Sequence, residues 1–266
     1  MSFGLQLRPF PFNGDGVTAV VSTRHGGVST GPYDSLNLGG HVGDDPAAVA
    51  ENRRRLARAL GLERLTVADQ RHTAAVAVVD GGLAGRGHDG AADSAAAFPA
   101  TDAMITNRSG VALTVLVADC APVVLYDPVK RAIGVAHSGR LGTVRGAVPN
   151  TVGAMTATFG SVPENMLIGI GPAIGAASYE IGPTEASQVM DSFGAEGTQL
   201  LSPTRRGHAA FDLIGAIRRQ LDAAGVPARN VYDLAIDTRT ATDDFFSDRA
   251  ARPCGRFAAI ALLPAE

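Results

Sequence analysis

Tryptophan is missing from this 266-residue chain, and aromatic residues make up only 5% of it. Proteins that bind single-stranded nucleic acid without sequence preference stack bases on aromatic rings, so that class is disfavoured. A basic excess is missing too: 23 lysines and arginines face 26 aspartates and glutamates, for a formal charge of −3. Neutralising phosphates needs clustered cations, which argues against any nucleic-acid partner. The nearest thing to a cluster is Arg53-Arg54-Arg55. It falls in a helical pattern and reads as a solvated face. The two cysteines, Cys120 and Cys254, are too few for a disulfide framework, and a reducing compartment is expected. No stretch reaches the ~18 consecutive apolar residues of a membrane span. The first residues, MSFGLQLRPFPFNG, lack the apolar core of a secretory signal. A cytoplasmic protein that meets no membrane is the expectation.

Hydrophobic residues at 45% and charged residues at 18% suit a chain with a sizeable core, and 32 glycines with 15 prolines point to many turns. Residues 16–23 read as a strand by their β-branched content. A polar, glycine-rich loop follows from Arg24 to Asp45, long enough to suggest function or disorder. Asp45 as N-cap and Pro46 at the first helical position open a helix that runs to about Leu60 and stops at Gly61. Residues 65–79 hold two short strands around Gln70-Arg71-His72, and 81–100 reads as a mobile excursion without period. Apolar runs at 111–118 and 122–127 flank Asp119-Cys120-Ala121, and another at 132–136 ends at His137. A helix over 143–159 is kinked or delayed by Pro149. Residues 166–170 read as a buried strand. Helices are expected near 184–193 and at 211–224, where Phe211, Ile214, Ile217 and Leu221 recur at helical spacing before Gly225. Strands follow at 231–236 and 256–263. Without regular strand–helix alternation, the expected class is α+β with mixed sheets flanked by helices, in one domain over 1–266.

His72, Cys120 and His137 share a setting: each places a good metal ligand where an apolar strand meets a polar turn. Thiolate and imidazole are preferred zinc ligands, at about 2.3 and 2.0–2.1 Å. Two histidines and one cysteine leave a fourth tetrahedral position open, the arrangement of catalytic zinc, which can bring bound water to a pKa near 7. His25, His41, His88 and His208 have no such setting. A different reading of the same residues makes Cys120 a nucleophile, His137 its base and Asp119 the orienting group.

Four blocks closely resemble the YfiH/laccase-domain family: residues 23–57, from TRHGGVSTGPYDSLNLGG onward; 102–127, with ADCAP at its centre; GIGPAIGAASYEIG at 169–182; and FFSDR at 245–249. They fall in family order over nearly the whole chain. The resemblance implies a single-domain α+β fold similar to the catalytic domain of cytotoxic necrotizing factor. It implies metal ligation by the histidine of a Q-x-H-G block, the cysteine of A-D-C-x-P and the histidine of H-x-G-W-R-G. These map onto His72, Cys120 and His137. Two functional labels come with the family. One is a purine nucleoside enzyme that combines phosphorolysis of adenosine, inosine and methylthioadenosine with adenosine deamination. The other is a copper-dependent polyphenol oxidase. One cysteine and two histidines suit a single zinc, and a multicopper oxidase would need many more histidines than the six here.

The implied partners are a purine nucleoside and phosphate, and the implied assembly is a monomer or weak homodimer. Arg24, Arg140 and Arg249 become candidates for the anion, Asn37 for base or ribose, and Asp119 for general acid–base work beside Cys120. The chain also departs from the family pattern. His137 is followed by SGRLG, so the tryptophan is gone and the arginine is displaced by one place. Thr73 stands where the family has glycine, Asp237 where it has cysteine, and Asp248 where it has tyrosine. A non-catalytic metal-binding paralogue and a Cys120–His137 amide hydrolase therefore stay open.

Overall fold

The computed structural model describes residues 4–14, 16–89 and 98–265. Its elements run β1 (Leu7–Pro9), β2 (Thr18–Ser22), α1 (Pro46–Ala59), β3 (Thr66–Val67), β4 (Val76–Val78), β5 (Ala103–Thr106), β6 (Ala112–Val117), β7 (Ala121–Asp127) and β8 (Ala132–Ser138). Then come α2 (Arg140–Val144), α3 (Ala147–Phe159), β9 (Leu167–Ile170), β10 (Glu180–Ile181), α4 (Pro183–Phe193), β11 (Leu201–Pro203), β12 (Ala209–Phe211), α5 (Leu213–Ala223), β13 (Val231–Asp233) and β14 (Phe257–Leu262).

Two mixed sheets carry the fold: a five-stranded one in the order β1-β2-β14-β6-β3 and a six-stranded one in the order β13-β9-β7-β8-β5-β4. The two-residue period of each strand sends alternate side chains to opposite faces. Leu113, Val115 and Val117 of β6 meet Val124 and Tyr126 of β7 between the sheets. Ala112 and Leu116 of β6 face outward onto Leu56 and Ala57 of α1. Val123 and Leu125 of β7 face the opposite way, onto Val152 and Met155 of α3 and Ile217 and Leu221 of α5. The order of layers is helix, sheet, sheet, helices. Covering both faces of both sheets explains why β6, β7, β8 and β14 are buried along their whole length and read as unbroken apolar runs. A small sheet, β10-β12-β11, lies outside these two and has no counterpart in the sequence reading.

Asp45 caps α1, its carboxylate accepting from Ala47 N at 2.9 Å, with Pro46 behind it. Asp212 caps α5 in the same way through Gly215 N. The helix expected over 143–159 is two helices, α2 and α3. Gly146 breaks them apart at φ 82°, a conformation that costs glycine nothing. Pro149 then falls in the first turn of α3, where its missing N–H has no acceptor to lose. The two strands expected around His72 form, but in different sheets.

Arg53 corrects the reading of the arginine run as solvated. It is buried at 4% exposure and donates to Leu38 O (2.8 Å), Gly87 O (2.6 Å) and His88 O (3.1 Å). The long loop from Arg24 to Asp45 is ordered rather than free. Asn52 of α1 reaches into it, donating to Ser29 Oγ, Ser35 O and Asn37 O and accepting from Val28 N. Of the excursion expected to be mobile, residues 90–97 lie outside the described residues. Its flanks are built in: His88 and Phe98 are buried, and Phe98 bridges to Ala68.

Candidate metal centre

The chain crosses from the five-stranded to the six-stranded sheet twice at one end of the sandwich. Between β3 and β4 the crossing carries His72; between β6 and β7 it carries Asp119 and Cys120. The last residues of β8 lie opposite the first of β7, pairing His137 with Pro122 and Ser138 with Ala121. Topology thus delivers three residues distant in sequence to one rim. One donor atom from each of His72, Cys120 and His137 lies within 4.8 Å of the others, and Cys120 Sγ is 3.7 Å from His72 Nε2. Bonds of about 2.0–2.3 Å in a tetrahedron put ligand atoms roughly 3.3–3.8 Å apart. The donor set could hold a metal ion, and the Cys120–His72 separation falls within that range.

The three side chains differ in exposure: His72 is exposed, Cys120 partly buried and His137 buried. The open side is therefore at His72. Burial alone raises the Cys120 thiol, but the charge of His137 and hydrogen bonds from His137 and His72 outweigh it, so the net shift is downward. Burial opposes the charged form of His137, but Cys120 and Asp102 outweigh it and move His137 upward. The shift favours the thiolate, the form that ligates metals and attacks electrophiles.

Asp102, at the foot of β5, is the residue the sequence reading missed. It is fully buried, and its Oδ1 accepts from His137 Nδ1 at 2.7 Å. Burial raises its carboxyl, but hydrogen bonds from His137 and Thr73 hold it well below the usual carboxylate range. The one signal for it was its position at the head of the block 102–127. His72 sits at φ 56°, and its carbonyl accepts from Arg145 Nη1 at 2.5 Å. Asn150 Nδ2 holds the next turn through Ala74 O. Gly139, between His137 and α2, packs where a Cβ would press on Cys120 Sγ.

Asp119 takes φ 79°, and both its oxygens are engaged: Oδ1 by Thr238 Oγ1 and Oδ2 by Arg249 N, each at 2.6 Å. Its carbonyl accepts from Ile174 N. It ties the Cys120 turn to three later segments. Arg140, the first residue of α2, donates to Gln188 Oε1. Arg249 donates to Glu180 O at 3.0 Å and lies 5.3 Å from the ring centre of Tyr179. Burial pushes the Tyr179 phenol up to about 12, with Cys120 adding to the rise and Arg140 and Arg249 opposing it. Tyr179 thus joins Cys120, Arg140 and Arg249 in one electrostatic neighbourhood, and it too was missed.

Arg24 and Asn37 are placed elsewhere. Arg24 donates to Asp34 O and Thr242 O and lies 4.5 Å over Phe246. Asn37 is fully buried, its amide engaged with Gly39, Asp44 Oδ2 and Arg256 N. Asp237 accepts from Gly175 N, Ser178 Oγ and Arg239 N. Among the described residues, His72, Cys120 and His137 form the one group of three such side chains at ligand distance. Among them also, no helix is long and apolar enough to cross a membrane.

The family of multi-copper polyphenol oxidoreductase laccases matches residues 18–264. The chain is 42% identical over 256 residues to purine nucleoside phosphorylase ORF3 of Streptomyces griseus, covering 96% of this chain and 97% of that one. The crystal structure of YlmD from Geobacillus stearothermophilus superposes with a TM-score of 0.91 at 34% identity, over 97% of each chain. That of the hypothetical protein YfiH from Bacillus licheniformis superposes with a TM-score of 0.88 at 31% identity, over 93% of this chain and 92% of that one.

Proposed function

Because this chain belongs to the multi-copper polyphenol oxidoreductase laccase family, the YfiH/laccase-domain family that its blocks resemble, we propose that it is a zinc-dependent purine nucleoside phosphorylase that also deaminates adenosine. The observation that carries the reading is the meeting of His72, Cys120 and His137 within 4.8 Å at an open rim. Relatives that carry the phosphorylase name support the substrate class.

These three side chains would hold the zinc, with His137 turning Nε2 toward Cys120 because Nδ1 is engaged by Asp102. A zinc ion there would supply a Lewis acid and would lower the pKa of water. In phosphorolysis a phosphate oxygen bonds to the ribose carbon as that carbon's bond to the purine nitrogen breaks. Arg140 and Arg249 orient the phosphate as cationic donors beside Cys120. Tyr179, kept protonated, offers a neutral donor to the same space. Asp119 acts by fixing the Cys120 turn, since both its oxygens already accept hydrogen bonds. Arg24 and Asn37 contribute by holding the loop. In deamination, water adds at C6 of the purine and ammonia leaves. The location proposed is cytoplasmic, as a monomer or weak homodimer. A polyphenol oxidase built on several coppers would need more donor groups than the single cluster among the described residues.

One observation favours a second reading. Cys120, His137 and Asp102 lie in the order of a nucleophile, its base and the group that orients the base. That arrangement suits amide hydrolysis without metal. Chelation separates the two. Phosphate-dependent release of base from inosine, abolished by a zinc chelator and restored by zinc, supports the phosphorylase. Amide hydrolysis that survives chelation and is blocked by thiol alkylation would replace it.

A further inference from the structure

We infer that Asp102 is the positioning residue that assembles the centre: it turns His137 so that Nε2 faces the metal position, and it holds the turn that sets His72 beside Cys120. The inference rests on the reading of His72, Cys120 and His137 as metal ligands.

The geometry is one of donors converging on a single anion. On Oδ1 lie His137 Nδ1 at 2.7 Å and His72 N at 3.0 Å. On Oδ2 lie Arg71 N at 3.1 Å, Thr73 N at 2.6 Å and Thr73 Oγ1 at 2.7 Å. Three successive backbone N–H groups aimed at one anion form a nest. Here the anion is the protein's own buried carboxylate, and the turn it closes contains a histidine at φ 56°. Left-handed backbone is uncommon for residues other than glycine and persists where the surroundings fix it. The main chain adds to this: His137 N donates to Asp102 O at 2.7 Å, and Asp102 N and Ala103 N donate to Ala75 O. Asp102 therefore touches both histidine-bearing segments. Cys120 is placed separately, by Asp119 and its ties to Thr238 and Arg249.

Every group around the two oxygens can donate, so only an ionised carboxylate satisfies all of them. An asparagine would turn its NH₂ toward either the His137 pair or the Arg71–Thr73 pair, donor against donor. Where the family has glycine, this chain's Thr73 hydroxyl lies within reach of both Oδ2 and Ala100 O.

The test compares zinc affinity of wild type and Asp102→Asn by competition with a chromophoric chelator. Partners that orient a metal-bound histidine are typically worth 10- to 100-fold in metal affinity, so zinc should bind the variant about 10- to 100-fold more weakly. In the cobalt-substituted variant, the visible bands of tetrahedral cobalt should weaken while the thiolate charge-transfer band from Cys120 remains. A folded Asp102→Asn protein with zinc affinity within about twofold of wild type, far below that range, and an unchanged cobalt spectrum would overturn the inference. Should the variant not fold, nitrogen-15 NMR of the wild-type zinc form decides. A proton on His137 Nδ1 with metal on Nε2 sustains the inference; the opposite arrangement overturns it. Wild-type protein that takes up no zinc would defeat the metal reading itself, and this inference with it.

Discussion

Replacing Gly139 by alanine adds one methyl group at the wall of the metal centre. Gly139 has φ −82°, which alanine adopts freely, so the backbone has no reason to move. The strain falls on side chains. The new Cβ would lie less than 3.0 Å from Cys120 Sγ, 3.4 Å from Cys120 Cβ and 3.3 Å from His72 Cδ2. Non-bonded heavy atoms of this kind rest at about 3.5–4.0 Å. The sulfur must therefore yield by at least roughly half an ångström, and His72 limits its retreat on one side. Metal–ligand distances tolerate only about 0.2 Å. Zinc affinity of Gly139→Ala should fall at least about tenfold, and overpacking should cost ~1–3 kcal/mol in stability. Chelator competition reads the first and urea denaturation the second. A variant that binds zinc as tightly as wild type, with the same urea midpoint, would refute the geometry on which the centre is built.

Three further outcomes follow from the structure. Arg53→Met strips three carbonyls of a buried charged donor; urea denaturation should show a loss of ~2–4 kcal/mol, and a loss below about 0.5 kcal/mol, the scale of an ordinary surface change, would restore the reading of Arg53 as a solvated residue. His88 is buried; that burial first, then the charges of Arg64 and Arg53, brings its pKa down to about 4. The unfolded chain takes up this proton from its ordinary value of about 6.5, while the folded protein waits until about pH 4. Stability should therefore decline as pH falls through that window, by on the order of 3 kcal/mol in full. His88→Asn keeps an acceptor for Leu65 N and should flatten that part of a melting-temperature profile; an unchanged profile would contradict the assignment. Arg249→Ala removes the guanidinium beside Tyr179 but leaves the backbone N–H on Asp119. The KM for phosphate should rise about tenfold or more, the scale of one charge-assisted hydrogen bond, with zinc content unchanged; equal KM values would remove Arg249 from the phosphate site.

The grouping of His72, Cys120 and His137 was legible because Cys120 and His137 stand where apolar runs meet a turn and all three lie in family-like blocks, patterns local to a few residues. Asp102 was not, because its partners are 30 and 35 residues away and only sheet pairing brings them together. Arg53 was misread although the helical period was sound. Val49, Asn52, Arg53 and Leu56 stand at the spacing of one helix face, so the pattern already put Arg53 inside. Its charge alone suggests solvent, whereas its place on the helix puts it inside. Long strands with both faces covered, such as β7 and β8, announce themselves by unbroken apolar runs. β5, four residues long, and the two- and three-residue strands of the small sheet carry too few side chains to show a period. Gly146 hid the division of α2 from α3, since a single glycine inside a helical pattern is compatible with either outcome.

On the proposed function, His72, Cys120 and His137 form a zinc centre that breaks the bond between purine and ribose with phosphate. Phosphorus-31 NMR of inosine and phosphate incubated with zinc-loaded protein, beside Cys120→Ala prepared in the same way, tests it most directly. A new sugar-phosphate resonance, matched mole for mole by free hypoxanthine, is expected in the wild-type sample alone. Sugar phosphate formed equally by Cys120→Ala, or none formed by wild-type protein that holds its zinc, would contradict it.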